Sequence, residues 1–128
     1  MSAAERHAIR ASGGAPPVGP YSPALAVGNL VFVSGQIALD AGGALTGATA
    51  AEQTRTALMN LRATLAAAGL DLADVAKTTI FLSDMGDFAA VNEVYAEFFA
   101  EPYPARSTVE VARLPKNALV EIEALAVR

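Results

Sequence analysis

The sequence predicts an α+β fold, a single mixed sheet of five to six strands with two helices packed on one of its faces. Three features support this. Apolar and polar residues alternate with a period of two near both ends of the chain, two middle segments have helical spacing, and the elements follow the order (β)ββαβαββ. Two helices cannot cover both faces of such a sheet, so the second face should meet water or another subunit.

The first part of the chain supplies two or three strands. A short strand is predicted from Arg6 to Ala11, followed by a Gly/Pro-rich loop from Ala11 to Pro23 that its prolines should make stiff. Leu25–Val27 and Leu30–Leu39 are separated by the turn Gly28-Asn29, which is typical of a hairpin.

Two helices and a strand are predicted in the middle of the chain. Thr49 and Glu52 have the spacing of a capping box, which predicts a first helix that ends at Gly69. Residues Asp74–Ser83 are rich in β-branched side chains and predict a strand. A second helix should follow, with Pro102 beyond its end. Its first residue is Asp84 or Asp87, and its apolar face consists of Phe88, Val91, Tyr95 and Phe98.

The last quarter of the chain is predicted to form two strands joined by a short turn, within Pro104–Pro115 and Ala118–Arg128. Residues two apart in a strand share a face. One face of the first strand carries Ser107, Val109 and Val111, and the other carries Arg106, Thr108 and Glu110. We expect the valines to contact the helices, and Arg106 to share the second face of the sheet with Glu121 and Glu123.

An arginine and a glutamate on one face could bind a carboxylate and move a proton. A guanidinium is a planar fork that pairs bidentately with a carboxylate. A glutamate whose pKa is raised by burial can act on a bound water. The residues alone leave two alternatives open. Arg106 could form a structural salt bridge with Glu110 or Glu123, and Glu123 could take the place of Glu121.

Composition limits the function classes. The chain has 128 residues, which suits one domain (1–128), and 9 Lys+Arg against 13 Asp+Glu give a formal net charge of −4. This acidic balance disfavours a binder of nucleic acid or of anionic membranes. Hydrophobic residues make up 53% of the chain, more than a domain of this size buries alone, so we expect an oligomer with an apolar interface.

Several kinds of site are excluded by residue type. The chain has no cysteine and one histidine, His7, which argues against disulfides, thiolate chemistry and multi-histidine metal sites, so no metal is expected. The first 20 residues lack the apolar run of a signal peptide, and no apolar stretch has the length of a membrane span. The expected location is the cytoplasm.

Six blocks of the chain together resemble the reactive-intermediate deaminase (Rid, formerly YjgF) family. The blocks are GPYSPA (Gly19–Ala24), VSGQI (Val33–Ile37), VAKTTIF (Val75–Phe81), NEVYAEFF (Asn92–Phe99), PARSTVEVARLP (Pro104–Pro115) and LVEIEALAV (Leu119–Val127). The resemblance spans residues 15–128 and leaves 1–15 as a less defined N-terminal segment. It implies a chorismate-mutase-like fold and a homotrimer with sites in clefts between neighbouring subunits. It also implies cofactor-free hydrolysis of imines and enamines, such as 2-aminoacrylate (2-iminopropanoate) and 2-iminobutanoate, to 2-keto acids and ammonium.

The resemblance also implies residue roles. Arg106 would clamp the substrate carboxylate, and Glu121 would act on the catalytic water and the proton. The substrate-binding set is Tyr21, Ser34, Gly35, Asn92, Arg106 and Thr108. Thr108 stands where many members have cysteine, which argues against thiol-dependent activity. From the residues alone, Tyr21 could instead anchor its loop, Ser34 could be an ordinary polar group, Gly35 could mark a bulge, and Asn92 could face solvent.

The sequence is also compatible with other functions. The chain could be a paralogue that processes an aminoacrylate product of pyrimidine breakdown. It could also be a non-catalytic or regulatory member that binds a small carboxylate at Arg106. RNA cleavage has been proposed for some relatives, but the acidic balance of this chain disfavours it.

Overall fold

A six-stranded mixed sheet with two helices on one face forms the structure, a computed structural model that describes residues 5–128. The strands are β1 (Arg6–Ile9), β2 (Ala24–Val27), β3 (Leu30–Gln36), β4 (Val75–Leu82), β5 (Ala105–Glu110) and β6 (Val120–Val127), and the helices are α1 (Ala50–Ala67) and α2 (Phe88–Phe98). The order across the sheet is β1-β2-β3-β6-β4-β5, with β4 and β5 parallel and the other neighbours antiparallel. The α+β prediction is therefore confirmed.

The predicted first strand and hairpin are both present. β2 and β3 pair antiparallel around a turn in which Gly28 has a φ of 60°, a left-handed value that glycine adopts without a steric penalty. β3 ends at Gln36, before the predicted Leu39. Its pairing with β6 is interrupted by a bulge between Val33 and Gln36, which contains Gly35.

The capping box at the start of α1 is confirmed. The Thr49 hydroxyl accepts from the Glu52 N–H at 3.2 Å, and the Glu52 carboxylate accepts from the Thr49 N–H at 3.4 Å. The buried Gln53 side chain accepts from the Leu119 N–H at 2.8 Å, which ties the start of α1 to the residue before β6. Gly69, with a φ of 77°, follows the end of the helix as predicted.

α2 begins at Phe88, and neither predicted aspartate caps it with its side chain. Asp84 instead caps a short 3-10 turn (Met85–Asp87), where its carboxylate accepts from the Gly86 N–H at 2.8 Å. Glu110 of β5 accepts from the Met85 N–H at 2.8 Å. This contact joins β5 to the segment that leads into α2.

The last two strands are present, but the short turn predicted between them is wrong. β4 lies between β5 and β6, and the connection 111–119 includes a 3-10 turn at Pro115–Asn117. β5 and β6 run antiparallel to each other, but they cannot pair as a hairpin because β4 lies between them.

The prediction that Arg106 shares a face with the glutamates is wrong. Arg106 pairs with Thr78 of β4, and Glu121 pairs with Phe81 of the same strand. Thr78 and Phe81 are an odd number of residues apart, so they point to opposite faces. Thr78 is fully buried under the helices, so Arg106 lies on the helix face and Glu121 on the other, which we call the open face.

The core lies between the helices and one face of the sheet. The sheet contributes Ala24, Ala26, Val31, Val33, Ile80, Leu82, Val120, Ile122, Ala124 and Ala126. Val109 was expected there, but it lies on the open face and is 41% exposed. The open face also bears Phe32 and Val127, which are 45% and 39% exposed. In residues 5–128, no helix is long and apolar enough to span a membrane.

Candidate functional site

The predicted site residues form two groups on opposite faces of the sheet. Arg106 and Thr108 lie on the helix face of the edge strand β5, beside α2. Four others line one cleft on the open face, and we call this set the glutamate cleft: Tyr21, Ser34, Gly35 and Glu121. One chain therefore does not bring Arg106 and Glu121 together around a small molecule.

The Arg106 guanidinium lies over two aromatic rings of α2. Its central carbon is 4.9 Å from the Tyr95 ring centroid and 5.8 Å from that of Phe88. Among residues 5–128, it has no hydrogen bond or ion pair. The salt bridge to Glu110 or Glu123 that the sequence left open is therefore not formed. Stacking holds a guanidinium without using its N–H groups, which stay available for a carboxylate.

Tyr95 was assigned to the apolar stripe of α2, but it also contacts the site. Its hydroxyl and that of Thr78 are 2.8 Å apart in a buried hydrogen bond, and its ring stacks on Phe99 with centroids 4.4 Å apart. Burial raises the pKa of Tyr95, although the Thr78 bond and the Arg106 charge act in the opposite direction. The sequence signal for this contact is a tyrosine within an apolar helix stripe, because a buried tyrosine hydroxyl needs a hydrogen-bond partner. Thr78 of β4 supplies that partner.

Thr108 lies on the same face of β5 as Arg106, and Asn92 lies on α2, the helix whose rings contact the guanidinium. The Thr108 Oγ1 atom is buried and, in the part of the chain that the structure describes, has no hydrogen-bond partner. A buried hydroxyl without a partner is costly unless something completes it. Asn92 is half-buried and lies between Phe88 and Tyr95 on one side of α2, since residues three and four apart share a helix face.

Glu121 lies directly against the backbone of Gly35. A β-carbon built on Gly35 would be 2.6 Å from the Glu121 Oε2 atom, so any side chain at this position would require the carboxylate to move. Gly35 therefore lies in a bulge, as the sequence allowed. Its lack of a side chain also lets the Glu121 carboxylate approach the backbone of β3 closely.

Burial separates the two candidate glutamates. Glu121 is half-buried, and burial raises its pKa, with a further contribution from the negative charge of Glu123. Glu123 is exposed. A carboxyl with a raised pKa is better suited to proton transfer near neutral pH, so the environment favours Glu121.

Ser34 and Tyr21 shape the rest of the glutamate cleft. The Ser34 hydroxyl donates to the Ser22 carbonyl at 2.6 Å and so holds the Gly/Pro-rich loop against β3. Tyr21 in that loop accepts from the Val18 N–H at 3.4 Å, as a loop anchor would, and its side chain remains 51% exposed beside the cleft. The cleft measures about 780 Å³, and a second cleft of about 490 Å³ on the other side of Tyr21 and Ser34 is lined by Phe32 and Glu123.

No metal site is apparent among residues 5–128, where no cluster of three or more metal-ligating side chains occurs. The side chains of the two groups supply hydroxyls, carboxyls, an amide and a guanidinium.

Known proteins resemble this chain over most of its length. The family model described as Endoribonuclease L-PSP matches residues 12–128. A RutC family protein of Pyrococcus horikoshii is 53% identical over 111 residues, which make up 86% of this chain and 88% of the relative. The 2-iminobutanoate/2-iminopropanoate deaminase of Escherichia coli is 47% identical over 114 residues, 87% of this chain and 89% of the relative. The crystal structure of E. coli TdcF with bound serine matches with a TM-score of 0.89 and 44% identity, covering 95% of this chain and 98% of that one.

Proposed function

Because this chain belongs to the Rid/YjgF family, we propose that it hydrolyses imines and enamines derived from amino acids to 2-keto acids and ammonium, without a cofactor. The substrates would be small planar 2-imino acids such as 2-iminopropanoate and 2-iminobutanoate. Of the observations that support this, the unpaired guanidinium of Arg106 carries the proposal. It is a half-buried cation with no acidic partner among the described residues, next to an unpaired hydroxyl at Thr108.

In the proposed reaction, Arg106 binds the carboxylate of the substrate through paired N–H groups. A water attacks the imine carbon, Glu121 takes a proton from that water, and the carbon–nitrogen double bond becomes a single bond. The same carboxyl gives this proton to the nitrogen, which completes a first transfer and yields a carbinolamine. In a second transfer Glu121 takes the proton of the carbinolamine hydroxyl and gives it to the amino group, so that the carbon–nitrogen bond breaks and ammonia leaves as the carbonyl forms. The raised pKa of Glu121 favours both proton transfers near neutral pH.

A complete site needs two copies of the chain if Arg106 and Glu121 act on one substrate. The two residues lie on opposite faces of the sheet within one subunit. The half-exposed Phe32, Val109 and Val127 make the open face suited to contact another subunit. A homotrimer would place the β5–α2 edge of one subunit against the glutamate cleft of the next, with a site in each of three clefts.

A small-carboxylate binder without catalysis is the second candidate. It is favoured by the same free guanidinium, and TdcF is a similar protein whose structure contains a bound amino acid, serine. The raised pKa of Glu121 has no role in such a binder, which is why hydrolysis is preferred. An aminoacrylate product of pyrimidine breakdown stays among the candidate substrates, as the family resemblance implies. RNA cleavage, the activity in the description of the family model, fits a formal net charge of −4 poorly.

The test is ammonium release from freshly generated 2-aminoacrylate. The wild-type protein should accelerate it, and Arg106→Ala should lower kcat/KM by at least about 10²-fold because the carboxylate loses its partner. Glu121→Gln should lower kcat by about 10²–10⁴-fold and retain binding of 2-oxobutanoate. Glu123→Gln is the matched control and should change kcat much less. Binding of 2-oxobutanoate without any ammonium release would favour the binder, and near-normal turnover by Arg106→Ala would refute the clamp.

A further inference from the structure

Thr78 of the neighbouring strand contacts Arg106 through the backbone pairing and is linked to its guanidinium through Tyr95. The backbone of Arg106 pairs with Thr78 across β4 and β5, and its guanidinium lies over the Tyr95 ring, whose hydroxyl is bonded to the Thr78 side chain. Thr78 and Tyr95 are 0% and 5% exposed, so both are packed in the core. The three residues form a closed loop of contacts that determines where the guanidinium fork points.

We propose that Tyr95, anchored by Thr78, is a positioning residue that orients the Arg106 guanidinium toward the carboxylate of the substrate. The inference rests on the proposed function, in which Arg106 binds that carboxylate. The reason is geometric. With no hydrogen bond or ion pair to any described residue, the flexible arginine side chain depends on its aromatic neighbours for a defined direction. Preorganisation of this kind lowers the entropy cost of binding.

Of the two rings, that of Tyr95 is the better support. It is closer to the guanidinium and is fixed by the Thr78 bond on its edge and by Phe99 on its face. Phe88 is 38% exposed and lies at the first turn of α2. A buried ring that is held by a hydrogen bond and a stacking contact transmits a fixed orientation, whereas a half-exposed ring does not.

The first experiment separates positioning from stability. Tyr95→Phe alone leaves the Thr78 hydroxyl buried without a partner, and Thr78→Val alone does the same to the tyrosine. The double variant Thr78→Val/Tyr95→Phe removes both hydroxyls and should unfold close to the wild-type urea concentration. We expect its Kd for 2-oxobutanoate and its KM for the imine to rise about threefold, with kcat changed less, because carboxylate binding is common to the ground and transition states. Wild-type affinity in the double variant would show that the hydrogen bond serves only the fold.

The second experiment tests whether Tyr95 acts through Arg106. Tyr95→Leu removes the ring and should raise the Kd for 2-oxobutanoate about tenfold. In an Arg106→Lys background the same change should cost about twofold or less, since an ammonium is a point charge with three rotatable donors and has no fork for the ring to orient. Equal losses in both backgrounds would overturn the inference. The matched control is Phe98→Leu, which removes another ring of α2 that lies 5.2 Å from the Arg62 guanidinium and should leave the affinity unchanged.

The two proposals fail in different ways. If the wild-type protein neither binds 2-oxobutanoate nor releases ammonium from 2-aminoacrylate, the proposed function is refuted and this inference with it. If the wild-type protein binds and Tyr95→Leu binds equally well, only the positioning role is refuted.

Discussion

The Glu121 carboxylate occupies the space that a side chain at Gly35 would need. A β-carbon there would be 2.6 Å from Oε2 and 2.7 Å from Cδ of Glu121, closer than real β-carbon contacts come. The bulge of β3 and the absence of a side chain at Gly35 thus create a place where this carboxyl can be half-buried beside the backbone. That burial is the main cause of the raised pKa of Glu121.

Gly35→Ala should therefore reduce activity by displacing Glu121. We expect kcat for imine hydrolysis to fall about 10²-fold, since the proton-transfer group moves away from the water. Because the half-buried Glu121 side chain can move toward solvent, the free energy of unfolding should change little. Steady-state kinetics and urea unfolding measure the two effects.

Gly42→Ala is the matched control for this change. Its added β-carbon would meet only the Asp40 carboxylate, at 3.4 Å, and activity should remain that of the wild-type protein. Unchanged kcat in Gly35→Ala would contradict the role given to Glu121.

Two inactive variants should restore activity when their subunits are mixed. If each site combines Arg106 of one subunit with Glu121 of the next, mixed trimers of Arg106→Ala and Glu121→Gln contain intact sites. Random assembly of equal amounts gives about one quarter of the wild-type activity per site. Unfolding and refolding the variants together, followed by the ammonium assay, measures this. No recovery in mixtures whose subunits demonstrably exchange would place both residues of a working site in one chain.

The stability of the protein should depend on pH through Glu121. Because its folded pKa is raised above the unfolded value, the folded state holds this proton more tightly, and ionisation costs stability. This loss of unfolding free energy is absent below the pKa of Glu121 in the unfolded state. It grows as pH rises toward the pKa in the folded state and is complete above that pKa. Glu121→Gln should therefore gain in unfolding free energy relative to the wild-type protein as pH rises through this window, and the difference should then level off. Urea unfolding from about pH 4 to about pH 8 measures it.

Glu123→Gln gives an independent check of this assignment. The negative charge of Glu123 is the smaller cause of the raised pKa of Glu121. Its removal should therefore narrow the pH range over which ionisation of Glu121 lowers stability, but should not abolish that range. A difference between Glu121→Gln and the wild-type protein that does not vary with pH would refute the raised pKa.

Thr49→Ala should reduce stability without reducing catalysis. The change removes the hydroxyl that accepts from the Glu52 N–H at the start of α1, away from both groups of site residues. The expected loss is about 1 kcal/mol of unfolding free energy, measured by urea unfolding. Thr49→Ser retains the hydroxyl and should unfold like the wild-type protein. Lower kcat in a fully folded Thr49→Ala protein would show that α1 influences the site more directly than its contacts indicate.

Local sequence patterns predicted the elements themselves. The capping box of Thr49 and Glu52, the alternation along β6 and the glycine turn at Gly28 each depend on residues close together in the chain. Such interactions act whatever the rest of the molecule does, so the sequence alone determined two helices, five to six strands and the residues that share a face within each strand.

Only the tertiary structure decided which faces of different strands coincide. Alternation shows that Arg106 opposes Val109 within β5, but not which of the two points toward the helices. That depends on the insertion of β4 between β5 and β6 and on the registers of Arg106 with Thr78 and Glu121 with Phe81. Register depends on long-range pairing, and a shift of one residue reverses every side chain of a strand. For this reason the sequence named the arginine and the glutamate but placed them on one face, whereas the fold separates them.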